Sequence, residues 1–196
     1  ENIMSKIKIY KILLAVLIAA SIIVAVLVAI KHVKLYKNEK ETKQVIANIT
    51  QSLENNEEVT NKIDESIQGH KVVGIIKIPE LNIEYPILEN TNKETLNLSI
   101  TKFWGNRINE IGNVTLAGHN NLNGTMFGKI KKMQEGDIIE LTDIQNVTLK
   151  YQVFKVYVID PNDITCILPE QENVREVTLI TCTNGNKNRL IVKARE

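Results

Sequence analysis

Nineteen consecutive residues, Ile12 to Ile30 (ILLAVLIAASIIVAVLVAI), carry no charge and have Ser21 as their only polar side chain. A helix of a soluble core keeps one polar stripe for water, and this run has none. At about 1.5 Å per residue it nearly crosses a hydrocarbon layer of about 30 Å, where a helix satisfies its own backbone groups. The run is longer than the apolar core of a signal peptide and no small-x-small cleavage site follows it, so an uncleaved anchor is expected. Lys6, Lys8 and Lys11 precede it and Lys31, Lys34 and Lys37 follow it, so counting positive charges does not orient it. The short leading segment favours an inside N-terminus, with Met4 as the expected natural start. The resulting division is a tail over 1–11, a span over 12–30, a polar linker over 31–70 and a folded domain over 71–196.

Lys37 to Gly69 is rich in Glu, Lys, Asn and Gln, with no Pro and no Gly before Gly69. Ile46, Ile49, Leu53, Ile63 and Ile67 fall near one helical stripe, interrupted at Asn56. A stripe that narrow builds no core alone. It fits a helical stalk, the favoured reading, or a helix laid on the domain that follows.

From Lys71 the periodicity changes to short strand-like runs: Val72–Ile78, Val114–Ala117, Asp137–Leu141, Val147–Ile159, Val177–Thr181 and Leu190–Val192. Turn signals such as Asn123-Gly124, Gly136-Asp137 and Asn184-Gly185 bound them. Lys93–Ile100 and Met126–Met133 are the helical candidates. The fold class is therefore mostly β, a closed barrel of about eight strands with few short helices. The 24 basic and 23 acidic residues nearly cancel, which gives no electrostatic basis for a nucleic-acid partner.

Two cysteines, Cys166 and Cys182, offer either a disulfide or a reactive thiol, and their spacing is not that of metal ligands. Cys182 ends the strand-like run EVTLITC and is followed at once by the turn TNGNKN, a position that is rigid yet reaches solvent. If Asn184-Gly185 closes a hairpin, Arg189 comes back beside Cys182, where a cation lowers a thiol pKa or supports an oxyanion. His119 likewise ends a strand-like run, NVTLAGH. His32 borders the span and His70 lies in the linker, which leaves His119 as the partner for a thiol–imidazole site. A structural cysteine and a surface arginine remain the plain alternative on local pattern alone. Cys166, in DITCILPE, reads as a small buried core residue. Glu135, Asp137, Glu140 and Asp143 read as a solvated strand face, so no metal or other cofactor is expected.

Thr178-Leu179-Ile180-Thr181-Cys182 resembles the TLxTC signature of sortases. A Gly-His pair 63 residues before the cysteine, an arginine opening the final strand, the anchor and the barrel match the family's layout as well. The resemblance implies a cysteine transpeptidase that cuts a C-terminal LPxTG-like sorting signal between Thr and Gly through a thioacyl intermediate. Cys182 would be the nucleophile, His119 the general acid and then base, and Arg189 the group that holds the oxyanion or substrate backbone. Thr181 and Cys166 would border the substrate groove. The implied partners are surface proteins or pilins bearing a sorting signal, and a peptidoglycan precursor or other amine acceptor. The implied place is the cell membrane, single-pass, with the catalytic domain facing the cell wall. A hydrolase that releases such substrates to water, and an inactive tethered binding module, are the rival readings. Subclass features are mixed: Gly118-His119-Asn120 and Gly124–Gly128 are similar to class B, whereas Pro161–Glu176 is short for the extra helix of that class. The domain's size is nearer classes A, D and E, and no DPF/DPW-type lid of class C precedes it.

Overall fold

The computed structural model describes residues 3–54 and 66–196; Asn56 and Ile63 of the expected stalk lie outside the described residues. The chain forms two compact units, Glu1–Lys40 and Glu41–Glu196. Helix α1 (Ile3–Glu54) begins in the first. It holds an 18-residue window of mean hydropathy 3.2 with no residue buried within the protein, and is the one helix among the described residues long and apolar enough to cross a membrane. Ser21 Oγ donates to the Ile18 carbonyl at 2.8 Å, so the one hydroxyl of the apolar run is satisfied inside the helix.

In the second unit the end of α1 and nine strands come together: β1 (Ser66–Ile67), β2 (His70–Ile78), β3 (Ile83–Leu88), β4 (Ile100–Trp104), β5 (Gly112–Ala117), β6 (Ile138–Asp143), β7 (Thr148–Ile159), β8 (Arg175–Thr183) and β9 (Asn188–Arg195). A short helix α2 (Lys93–Leu98) precedes β4 and starts from a capping box, in which Asn92 Oδ1 accepts from the Glu94 and Thr95 amides. Val45 of α1 is buried with Ile67, Val72, Ile75, Leu88 and Leu98 in a small second core, and Gln68 Nε2 donates to Glu41 Oε2 at 3.1 Å. At Glu41 and Val45, α1 thus lies against strands of this unit.

The strands follow the order β2-β3-β4-β5-β8-β9-β7-β6, and β6 pairs back onto β2, so eight strands among the described residues close into a barrel. Closure needs a close backbone approach. A Cβ on Gly74 of β2 would lie 2.6 Å from the Thr142 carbonyl oxygen of β6, a contact no side chain tolerates. Alternation turns Val114, Leu116, Val177, Leu179, Leu190, Val192 and Ala194 into the main core, where Phe127 and Tyr151 also sit.

Two expectations change. Met126–Met133 contains one 3₁₀ turn, Ile130–Lys132, and no α-helix. Three of its buried residues, Phe127, Ile130 and Met133, are spaced three apart, which imitates a helical face while they plug the barrel core. Strands β1, β3 and β4 are additional: β1 takes up Ile67, which the helical stripe had included, β3 contains Pro86, a residue that argues against a strand, and β4 begins where the helical reading of 93–100 ended.

Gly74→Ala is expected to destabilise the domain by roughly 1–3 kcal/mol through overpacking at the β2–β6 seam. Urea denaturation checks this, with a lowered midpoint as the expected outcome.

Candidate active site at the end of strands β5, β8 and β9

Strands β5 and β8 lie parallel, with Gly112 opposite Arg175 and Ala117 opposite Ile180, a constant offset of 63 residues (180 − 117). His119 and Cys182 are separated by the same offset (182 − 119), just past the last paired residues, and both line the same cleft. The register is pinned at this end by the Gly118 amide donating to the Ile180 carbonyl at 3.2 Å, and by Thr181 Oγ1 donating to the Gly118 carbonyl at 2.7 Å.

The β8–β9 hairpin supplies the third group, with Cys182 directly opposite Arg189. Its turn holds Asn184, Gly185 and Asn186 at φ of 51°, 63° and 72°, a left-handed run suited to Asn and Gly. Arg189 Nη1 donates to the carbonyls of Asn186 and Asn188, both at 3.1 Å, which draws the guanidinium back over the turn.

The histidine is fixed from its other side. Its carbonyl accepts from the Phe127 amide at 3.0 Å, and Asn120 Nδ2 donates to the Cys182 carbonyl at 2.8 Å. Phe127 packs so closely over Gly118 that a Cβ there would stand 2.8 Å from its ring.

Cys182, His119 and Arg189 are all half-buried. They line one cleft of about 250 Å³ together with Thr181 and Cys166, so the five residues singled out in the sequence converge. Ala117, Ile159 and Ile180 also line it, as do Pro161, Asp163, Ile164 and Ile167 from the β7–β8 connection, and Thr91, Leu96 and Phe103. A mostly apolar cleft with a few convergent polar groups is the usual form of a ligand site.

Both cysteines are free thiols. Cys166 is 3% exposed, and burial, with the nearby Asp163 carboxylate, pushes its thiol above the ordinary range. Thr181 contributes its hydroxyl to the Gly118 carbonyl and so serves the strand register. Sequence reading named Asn120 only as part of the Gly118-His119-Asn120 motif and gave it no role in the site, and it missed the wall formed by Leu96 and Phe103, which carries no motif. Of the acids considered above, Asp137 and Asp143 accept amides of their own turns and Glu140 pairs with Lys150 at 3.5 Å.

Fold and site together define a closed β-barrel with a cysteine, a histidine and an arginine lining one cleft. The family model described as the Sortase domain matches residues 76–196, and the chain belongs to the sortase family, whose members are cysteine transpeptidases. It is 32% identical to sortase A of Bacillus anthracis over 124 residues, 63% of this chain and 58% of that protein. To sortase D of Bacillus subtilis it is 27% identical over 127 residues, 64% of this chain and 62% of that protein. The chain thus spans about three fifths of these relatives. Among solved structures, the lid mutant of Corynebacterium diphtheriae sortase A aligns with a TM-score of 0.59 at 32% identity, covering 64% of this chain and 70% of that one. Clostridium perfringens sortase C with the C-terminal cell wall sorting motif aligns with a TM-score of 0.57 at 28% identity, covering 64% and 70%.

Iodoacetamide at pH 7–8 is expected to label Cys182 in the folded protein and to spare Cys166, which is buried and whose raised pKa keeps it a neutral thiol. Raising the pH toward the Cys166 range, or unfolding the protein, brings in the second adduct. Intact and peptide mass spectrometry read the two sites.

Proposed function

We propose that this protein is a membrane-anchored transpeptidase that cleaves a C-terminal LPxTG-like sorting signal between Thr and Gly and transfers the threonyl end to an amine of the cell wall. The observation that carries the reading is the meeting of Cys182, His119 and Arg189 at one end of a single cleft. The solved sortase C that bears a C-terminal cell wall sorting motif supports a substrate of that class.

The Cys182 thiolate attacks the Thr carbonyl carbon, and the carbonyl π electrons move to oxygen. Arg189 stabilises that oxyanion or the adjacent substrate backbone. Collapse breaks the Thr–Gly C–N bond, and protonated His119 gives its proton to the departing glycine amine. A thioester between Cys182 and threonine remains. An incoming amine attacks it, His119 takes up the amine proton, and the new amide forms as the thiolate leaves. Thr181 keeps β8 in register beneath the nucleophile, and Cys166 forms part of the groove wall. The apolar helix anchors the protein in the cell membrane with the barrel outside, facing surface proteins or pilins and a peptidoglycan-type amine acceptor.

Sorting-motif peptides are to be incubated with the protein, with and without an amine acceptor, and followed by mass spectrometry. A thioacyl adduct at Cys182 and a transfer product are expected. Absence of any adduct sinks the reading, and an adduct resolved only by water makes the protein a hydrolase. Cys182→Ala is expected to abolish turnover, His119→Ala to come close to that, and Arg189→Ala to lower kcat/KM by about 10²–10³.

A further inference from the structure

The face of the sheet opposite the barrel core carries, by alternation, Asn113 and Thr115 of β5, Glu176 and Thr178 of β8, and Lys193 of β9. An outward face is ordinarily wet, yet Glu176 is 1% exposed, Lys193 2% and Thr178 0%. The connection between β7 and β8, residues 160–174, covers them. A buried charge is costly unless it is paired, and these charges are spent on that connection's backbone.

Lys193 Nζ donates to the Leu168 carbonyl at 2.8 Å and meets Glu170 Oε1 at 3.4 Å. Glu176 accepts from the amides of Glu170 at 2.8 Å and Gln171 at 3.2 Å. Asn113 Nδ2 donates to the Ile167 carbonyl at 2.9 Å, and Thr178 Oγ1 donates to the Cys166 carbonyl at 3.3 Å. Backbone groups of residues 166, 167, 168, 170 and 171 are thus gripped from below by three strands. Ile164, Cys166 and Ile167 of the same connection line the cleft.

We propose that Lys193, with Glu176, clamps the 164–171 segment as a preformed wall of the donor-peptide groove, making Lys193 a positioning residue that sets peptide affinity although it does not line the cleft. Strands β8 and β9 then carry two devices on one face: Cys182 and Arg189 at the end, and the clamp four residue pairs further in, where Thr178 pairs Lys193. A wall ordered before the peptide arrives spares the complex the entropy of ordering it. This inference rests on reading the cleft as the donor-peptide site.

The test uses the full chain, with hydrogen exchange of peptides covering 164–172, thermal unfolding, and turnover of a fluorogenic Leu-Pro-Xaa-Thr-Gly peptide. Lys193→Met, which keeps the bulk and removes the charge, is expected to raise exchange in 164–172 and to raise KM about tenfold while kcat changes less than twofold. Glu170→Gln, on a side chain near the surface, keeps the fold and is expected to shift KM about threefold in the same sense. Lys155→Met, which removes the exposed partner of Glu170 and leaves Lys193 in place, is expected to leave KM unchanged. Unchanged exchange in Lys193→Met overturns the clamp. So does a loss confined to kcat, or a Lys155→Met effect as large as that of Glu170→Gln. Should Lys193→Met not fold, Glu170→Gln against Lys155→Met decides. Exchange needs no substrate, so a wild-type protein that forms no thioacyl adduct ends the proposed function while the wall's protection is still read.

Discussion

The parallel pairing of β5 with β8 is the constraint on which the site depends. Parallel strands need a long crossover, and here the chain leaves β5, runs through β6 and β7, and returns to lie beside it as β8. What the pairing achieves is a fixed offset of 63 residues, so that the residues just past one strand meet those at the end of the other. Thr181 and Gly118 hold that offset where it matters, through a 2.7 Å hydrogen bond buried beneath the cleft. The antiparallel β9 adds Arg189 by direct pairing with Cys182, so the sheet register itself sets the arginine beside the thiol-bearing residue.

This arrangement divides labour between the two faces of the same strands. In β8, Val177 and Leu179 feed the barrel core, while Glu176, Thr178, Ile180 and Cys182 look the other way. Two-sided burial of a strand normally reads as a continuous apolar run. Here the outer face is polar and buried together, because the β7–β8 connection lies over it and spends its backbone carbonyls and amides on those side chains. The barrel is thereby a platform with a fitted cover, and the cleft is the seam between them.

The sequence made the strand-end groups legible because each sits at the boundary of an apolar run and a turn: Cys182 before TNGNKN, His119 before the Asn-rich loop, Arg189 at the opening of RLIV. The separation of 63 residues was visible as a motif spacing, and only the sheet register shows its physical meaning. Strand β3 stayed hidden because Pro86 breaks the local signal, while its pairing with β2 and burial of Ile87 and Leu88 override it. The Met126–Met133 segment misled for the opposite reason, since tertiary plugging put apolar residues at a helical interval. Lys193 and Glu176 look in the sequence like ordinary surface charges on alternating strands. Nothing local distinguishes them, because what buries them is a connection whose course is not periodic.

The separation of Cys182 from His119 along the chain also has a kinetic side. Contacts of such range are among the later ones to form, since the loop they close is long and the entropy of closing it must be met before the pairing repays it. Until β8 docks against β5, the cysteine has Arg189 close by through the local hairpin but no imidazole. A half-folded chain therefore carries the Cys182 thiol without the His119 imidazole in the same cleft, and the two come to line it only with the completed barrel.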